Sequence, residues 1–387
     1  MTRSLSIFGA TGSVGASTLD LVRRDRGAWD ILALTANSDA AGLAALALEF
    51  RPKVAVIGDA LHAGDLRKAL AGEGILVAAG EDALVDAARM GADVTMAAIV
   101  GCAGLAPTMA AIEGGKTVAL ANKESLVAAG ALMMAAARAS GATILPVDSE
   151  HNAIFQCLSG DLGRVAKITL TASGGPFRTW TREAMAAVTP AQAVKHPNWS
   201  MGAKISVDSA TLFNKGLELI EAYHLFPVGL ERLEIVVHPQ SVVHSMVGYV
   251  DGSTLAQLGP PDMRVPIASA LAWPERMATP CAPLDLAAIG KLEFEAPDVV
   301  RFPALSLCRN AIAEGGGRPA QLNAVNEIAV AAFLAGKIGF LDIADFVARV
   351  MDADAPIAPQ SLHDVFNLDR QSRIRAEEMV TALASLR

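Results

Sequence analysis

Residues 7–15, Ile7-Phe8-Gly9-Ala10-Thr11-Gly12-Ser13-Val14-Gly15, follow the apolar run Leu5 to Phe8 and open a stretch whose apolar side includes Leu19 and Val22. Strand, glycine turn and helix in that order are the entry to a dinucleotide-binding fold. Gly9 and Gly12 let the backbone turn tightly and approach a pyrophosphate, whose charge suits the free N–H groups and positive end of the helix. Thr11 and Ser13 add hydroxyl donors. A glycine trio also occurs in plain turns, and its place between strand and helix is what gives it weight.

Outward from that turn, short apolar runs alternate with helical stretches: Ile31 to Thr35, Val54 to Ile57, Met96 to Ile99, Thr117 to Leu120 and Ile144 to Val147. The alternation predicts an α/β fold, with a Rossmann-like parallel sheet over 1–148. From 149 to 273 the character changes. Loop signals at Gly174-Gly175-Pro176, His196-Pro197-Asn198 and Gly259-Pro260-Pro261 lie among the strand-like runs Ile235 to Val237 and Ser241 to Val247, which reads as a central α+β domain. A Pro-rich linker, 274–300, precedes a C-terminal helical domain, 301–387, where apolar positions recur at helical spacing.

The composition limits the partners. In 387 residues, 52% are hydrophobic and 19% charged, enough apolar material for two or three cores and no disordered tract. A formal charge of −8 without a dense basic cluster argues against nucleic acid. Cys102, Cys157, Cys281 and Cys308 form no CxxC pair, which fits a reducing compartment rather than a disulfide framework or a zinc site. The N-terminus leaves no room for a secretion signal, and the Ala-rich stretch 128–137 reads as a buried helix, not a membrane span. A cytoplasmic protein without membrane attachment is the expectation.

Leu145-Pro146-Val147-Asp148-Ser149-Glu150 ends an apolar strand with two carboxylates two residues apart, which point to one side if the backbone stays extended. The alternative is that they cap the helix that follows. Asn214-Lys215-Gly216-Leu217-Glu218 begins a helical stretch on which Asn214 and Glu218 share a face. Three carboxylates without thiolates suit one divalent ion, Mg²⁺ or Mn²⁺. Thr171-Ala172-Ser173-Gly174-Gly175 follows another apolar run, and Ser206-Val207-Asp208-Ser209 precedes Asn214-Lys215, so hydroxyls, an amide and an ammonium are available for a phosphate. Among the histidines, His196, His238 and His244 are the candidates. His196 opens His196-Pro197-Asn198-Trp199-Ser200-Met201-Gly202, which has the look of a closing lid, whereas His62 and His363 stand apart from any other site signal. After the second strand, Asn37 and Ser38 could donate to a 2′-phosphate, yet Asp39 stands close to where NAD enzymes place an acid, and the loop alone does not choose.

In order along the chain, GATGSVGASTLD, ALANKESLV, PVDSEHNAIFQ, ASGGPF, HPNWSMGAKISVDSATLFNKGLELIEA, HPQSVVHSM, AQLGPPDMRVPI and LNAVNEIAVAAFL resemble the successive blocks of the 1-deoxy-D-xylulose 5-phosphate reductoisomerase family. The resemblance implies an NADPH-dependent oxidoreductase and isomerase. It would rearrange and reduce its phosphorylated sugar to 2-C-methyl-D-erythritol 4-phosphate, on the way to isoprenoid precursors, and work as a homodimer. Carried over by position, the metal ligands fall on Asp148, Glu150 and Glu218. Substrate contacts fall on Lys123, Ser149, Glu150, Ser173, His196, Ser209, Asn214, Lys215, Glu218 and His244, with Lys123, Glu150 and His196 in catalytic roles. Cofactor contacts fall on Thr11, Gly12, Ser13, Val14, Asn122, Glu124 and Gly202, joined by Asn37 and Ser38. Trp199 would cover the substrate and Met263 would lie near the nicotinamide. The departure is Ser38-Asp39, where the family commonly has a basic residue followed by Asn. The rival readings are an isomerase without useful reduction, which would retain Asp148, Glu150 and Glu218 but not oxidise NADPH, and a non-catalytic NADP sensor, which would have no reason to keep the carboxylates and phosphate donors together.

Overall fold

The computed structural model describes residues 2–199, 201–352 and 356–384; Ser200 of the lid motif lies outside the described residues. The chain divides into two compact units. One comprises Met1–Ser125, Ala131–Phe155 and Met263–Cys281, the other Leu126–Gly130, Gln156–Asp262 and Ala282–Arg387.

The first unit alternates strictly. Its elements are β1 (Arg3–Phe8), α1 (Ser13–Arg24), β2 (Trp29–Ala36), α2 (Ala40–Phe50), β3 (Val54–Ile57), α3 (Ala63–Ala69), β4 (Leu76–Ala79), α4 (Glu81–Ala88), β5 (Val94–Ala97), α5 (Leu105–Glu113), β6 (Thr117–Leu120), α6 (Lys123–Ser140), β7 (Thr143–Pro146) and α7 (Ser149–Cys157). The strands form one parallel sheet in the order β4-β3-β2-β1-β5-β6-β7. Winding reverses between β1 and β5, the place where open α/β sheets leave a crevice at their carboxyl ends. Leu5, Ile7, Leu34, Ile57 and Met96 of the strands and Leu19, Val22, Leu43 and Phe50 of the helices share one buried core. The sheet contains every strand expected here plus β4, an edge strand whose Leu76 is 70% exposed while Val77 and Ala79 pack on the core; its apolar run, Ile75 to Ala79, was missed in the sequence.

The second unit holds α8 (Arg182–Met185), α9 (Pro190–Ala193), α10 (Ala203–Thr211) and α11 (Phe213–Leu225). Its four-stranded mixed sheet has the order β11-β10-β8-β9, from β8 (Val165–Ala172), β9 (Leu233–Val237), β10 (Val243–Tyr249) and β11 (Thr254–Leu258). β11 is a second edge strand that sequence reasoning missed. The chain then returns to the first unit for α12 (Arg264–Ala272), whose Ile267 and Leu271 join that core. In the second unit again, α13 (Leu286–Ile289) is a single turn, and Glu295 bridges to Val237 at the end of β9. Helices α14 (Ala304–Glu314), α15 (Arg318–Leu334), α16 (Asp342–Met351) and α17 (Leu362–Ala384) follow, with α15 packed against α14, α16 and α17. Leu322, Val325, Ala329, Val330 and Phe333 bury α15 nearly all round. The Ala-rich stretch is helical within α6, with a break at Ala129 (φ −133°, ψ 20°). No described helix is long and apolar enough to cross a membrane.

Candidate active site

The glycine turn fits a dinucleotide because side chains are excluded from it. A Cβ on Gly9 (φ +86°) would lie 2.6 Å from the Ala98 carbonyl oxygen just beyond β5, and one on Gly15 would lie 2.3 Å from the Gly9 oxygen. Backbone cannot yield at such distances, so α1 packs tightly under the turn. Gly12 caps α1 without a side chain, and no acidic residue occupies the first turn, which leaves its N–H groups and positive end for an anion. Gly12 and Ser13 are exposed, whereas Val14 leans on the core. Thr35 at the end of β2 holds the turn: its hydroxyl accepts from Gly9 N at 3.0 Å and its carbonyl from Ala10 N at 2.7 Å. Nothing in the sequence marked Thr35 for this.

The ambiguous loop after β2 resolves in part. Asp39 is the N-cap of α2, and its Oδ1 accepts from Gly42 N at 2.8 Å. That carboxylate is engaged by the helix it starts rather than left free for a ribose diol. Asn37 and Ser38 are exposed. Farther along the sheet, Asn122 caps α6: its Oδ1 accepts from Ser125 N at 2.8 Å and its Nδ2 donates to Gly101 O at 3.0 Å. The Asn122 side chain thus clamps the loop beyond β5, and Glu124 is buried beside it on the first turn of α6.

At the end of β7 the extended-backbone expectation for Asp148 and Glu150 is corrected. The backbone turns into α7 at Ser149, because the Asp148 Oδ1 meets the opening N–H groups, 3.2 Å from Glu150 N and 3.4 Å from His151 N. Of the two readings weighed for this motif, the helix cap is observed at Asp148. Oδ1 serves the helix, while Oδ2 receives the Lys123 ammonium at 3.1 Å. Glu150, on the first turn, accepts from the Ser149 hydroxyl at 2.5 Å. The buried His151 lies with its Nδ1 3.2 Å from Asp148 Oδ1.

The second unit gathers the anion-binding candidates. Ser173 follows β8, and Gly174 (φ +82°) and Gly175 (φ +68°) turn the backbone so closely past α10 that a Cβ on Gly175 would lie 2.8 Å from the Ser209 carbonyl. Ser173 Oγ lies 2.9 Å from His196 Nε2 and accepts from Gly175 N at 3.1 Å. On the other side of the ring, Nδ1 accepts from Asn198 N at 3.1 Å and Trp199 N at 3.0 Å. An Nδ1 that accepts twice carries no proton, so the proton is on Nε2 and is donated to Ser173. Burial agrees, holding the His196 imidazole down to about 4. With two donors on its oxygen, Ser173 has its own O–H free to donate to an anion. The lid segment is also tied by Asn198 Nδ2 to Pro239 O (2.7 Å) and Ser241 Oγ (3.0 Å), and Trp199 faces His244 with ring centres 6.2 Å apart.

Gly202 caps α10, which carries the buried Ser209 near its end. Leu212, in the left-handed region (φ +64°), breaks the helix before α11 begins. On α11, Glu218 takes the Asn214 amide on one oxygen at 2.6 Å and the Lys215 ammonium on the other. Asp208, 1% exposed, is held by Lys204 Nζ at 2.7 Å and Asn326 Nδ2 at 2.9 Å, a pairing across 118 residues that no local pattern announces. His238 is spent on structure: Nε2 accepts from Val242 N at 3.2 Å, Nδ1 donates to Glu293 O at 2.8 Å, and the ring stacks on Phe294.

A switch-point glycine turn, an ammonium-paired carboxylate at the end of the same sheet, and hydroxyl, amide and ammonium donors in the second unit define a class: dinucleotide-dependent enzymes acting on small anionic substrates with a divalent ion. Models of the 1-deoxy-D-xylulose 5-phosphate reductoisomerase match residues 5–130, its C-terminal domain 144–226, and the DXP reductoisomerase C-terminal domain 258–375. The 1-deoxy-D-xylulose 5-phosphate reductoisomerase of Zymomonas mobilis is 59% identical over 98% of this chain and 98% of its own length, and that of Caulobacter vibrioides 58% identical over 90% and 88%. Among solved structures, the Zymomonas mobilis enzyme in complex with NADPH superposes with a TM-score of 0.94 at 57% identity, covering 98% of this chain and 99% of that one. A DOX-P reductoisomerase in complex with NADPH, fosmidomycin and magnesium superposes at 0.91 and 45% identity, covering 99% and 98%. The chain belongs to the 1-deoxy-D-xylulose 5-phosphate reductoisomerase family.

Proposed function

We propose that this chain converts 1-deoxy-D-xylulose 5-phosphate to 2-C-methyl-D-erythritol 4-phosphate with NADPH as reductant, in the non-mevalonate route to isoprenoid precursors. The observation that carries the reading is the family match, which runs over 98% of the chain. NADPH supplies the hydride, seated by its pyrophosphate on Thr11, Gly12, Ser13 and Val14 and contacted by Asn37, Ser38, Asn122, Glu124 and Gly202. Asp148, Glu150 and Glu218 hold one Mg²⁺ or Mn²⁺ ion. The all-oxygen donor set fits a hard cation, and bound there the ion polarises the ketone and hydroxyl oxygens of the substrate.

The protein's own groups do the rest. Lys123 pairs with Asp148 at 3.1 Å and supplies an ammonium for moving a proton. Glu150, with Ser149 on one oxygen, is the carboxylate base. Ser173, Ser209, Asn214 and Lys215 bind the phosphate, with the neutral His196 fixing the Ser173 hydroxyl as a donor. His244 and Trp199 close over the sugar. Phosphate binding, remote from the bonds that change, supplies energy for closing the lid. The division of labour by segment is 1–148 for NADPH, 149–273 for catalysis, and 301–387 as a helical buttress beyond the 274–300 linker. The working assembly is a homodimer in the cytoplasm, to be checked by sedimentation equilibrium.

The deciding experiment is NADPH absorbance decay with 1-deoxy-D-xylulose 5-phosphate and Mg²⁺ or Mn²⁺, repeated with EDTA. Metal-dependent decay is expected. Rearranged product without NADPH oxidation would favour an isomerase, and no turnover with intact NADPH binding would favour a sensor.

A further inference from the structure

The loop after β2 lacks the basic residue that a 2′-phosphate ordinarily meets, and the structure brings a different side chain to that place. An open recess of about 400 Å³ at the carboxyl ends of β2 and β3 is lined by Ser38, Asp39, His62, Asp65 and three alanines. In a sheet of this winding the adenosine ribose lies at the end of the second strand. Among the described residues lining the recess, His62 is the single basic side chain. It stands at the start of α3, 24 positions beyond Ser38, and its side chain is 40% exposed.

One carboxylate lies close to this imidazole, and two more line the recess with it. Asp59, in the turn before it, lies with Oδ2 3.7 Å from His62 Nε2 and uses Oδ1 to accept from Leu61 N at 2.9 Å. Asp39 comes from the start of α2, where it caps Gly42 N, and Asp65 comes from α3 itself. Neither acid can bind a phosphate. A neutral imidazole offers one N–H donor; a protonated one offers two and a positive charge, the form that a phosphate dianion selects.

We propose that His62, with the Ser38 hydroxyl, recognises the 2′-phosphate of NADPH in this chain and replaces the loop cation, so that selectivity over NADH depends on the charge of His62. The inference rests on Ser38 lying at the cofactor's ribose.

Calorimetric titration with adenosine 2′,5′-bisphosphate and with adenosine 5′-monophosphate isolates the 2′-phosphate without turnover. The proteins are wild type, His62→Ala and His62→Arg, at about pH 6 and about pH 8.5. At the lower pH, wild type is expected to prefer the bisphosphate about tenfold more strongly than His62→Ala does, the range of one hydrogen bond to a charged group. At the higher pH the two converge, while His62→Arg keeps its preference at both. Ionisation of the phosphate itself is common to all three proteins and cancels in the comparison. Equal preference in wild type and His62→Ala at the lower pH overturns the proposal. So does an equal loss for both nucleotides, which would mean that the substitution disturbs the loop and that the 2′-phosphate lies elsewhere.

Discussion

At the scale of single residues, the most consequential assignment is the protonation state of His196. Its Nδ1 accepts two backbone N–H groups and its Nε2 faces the Ser173 oxygen, so the neutral Nε2–H tautomer is the one the surroundings permit. Nitrogen-15 NMR of the imidazole should show that tautomer at neutral pH and a titration midpoint near 4. A midpoint in the ordinary range, or a proton on Nδ1, would end the argument that Ser173 is held as a donor. Lys215 offers a second test. Its ammonium lies against Glu218, so Lys215→Ala removes the proposed phosphate donor and leaves the buried Glu218 with one partner fewer. If phosphate binding drives lid closure, steady-state kinetics should show kcat falling along with a rise in KM; a change in KM alone would mean uniform binding only.

Among the elements, α11 is the keystone of the second unit. It crosses α14 at Gly216, where an added Cβ would lie 2.5 Å from Cys308 Sγ and 2.9 Å from Cys308 Cβ. Gly216→Ala should therefore destabilise by about 1–3 kcal/mol, the usual cost of overpacking. Cys308→Ala in the same chain should recover part of that loss, and a double-mutant cycle in urea reads the coupling. Strict additivity would mean that the crossing relaxes elsewhere. The thiol itself is no reagent, since burial and the Asp208 carboxylate push its pKa up.

Near the other end of α11, burial depresses His224 to about 4, and its ring lies where a Cβ on Gly130 would stand. Between about pH 4 and the ordinary histidine value near 6.5, the unfolded chain binds a proton that the folded chain does not. Stability from this group is thus fully present above about 6.5 and is lost as pH falls toward 4. His196 acts in the same window and direction. His224→Gln should flatten the fall of Tm with acidification in that window; an unchanged slope would show that His224 does not carry it.

For the whole molecule, the test is removal of the ion. Chelation with EDTA should abolish turnover and addition of Mg²⁺ or Mn²⁺ restore it, while NADPH binding, proposed for the glycine turn, persists. With Asp148 as a proposed ligand, Asp148→Asn should weaken Mn²⁺ binding in paramagnetic titration by about 10-fold or more, because a hard cation would lose a charged oxygen ligand. Metal affinity equal to wild type would move the ion to other ligands. A loss of NADPH affinity on chelation would instead tie the cofactor to the ion.

Much of this molecule was legible before folding. The strand, turn and helix around Gly9 and Gly12 and the parallel sheet follow from chemical identity and short-range period, which are written within about ten neighbouring residues. The edge strand β4 was missed although Ile75 to Ala79 is an apolar run, and β11, exposed along most of its length, was not legible. Nor was the use to which each polar atom is put. Asp148 and Asp39 start helices as well as sitting in candidate sites, His238 is wholly consumed by the fold, Ser173 depends on His196, and His62 reaches the recess beside Ser38. A sequence states which donors and acceptors exist, but a hydrogen bond is satisfied by whatever the chain brings within 3 Å or so. Here that partner often comes from a distant segment, as Asn326 does for Asp208, so only the tertiary structure decides which groups are already spoken for and which remain for the ligand.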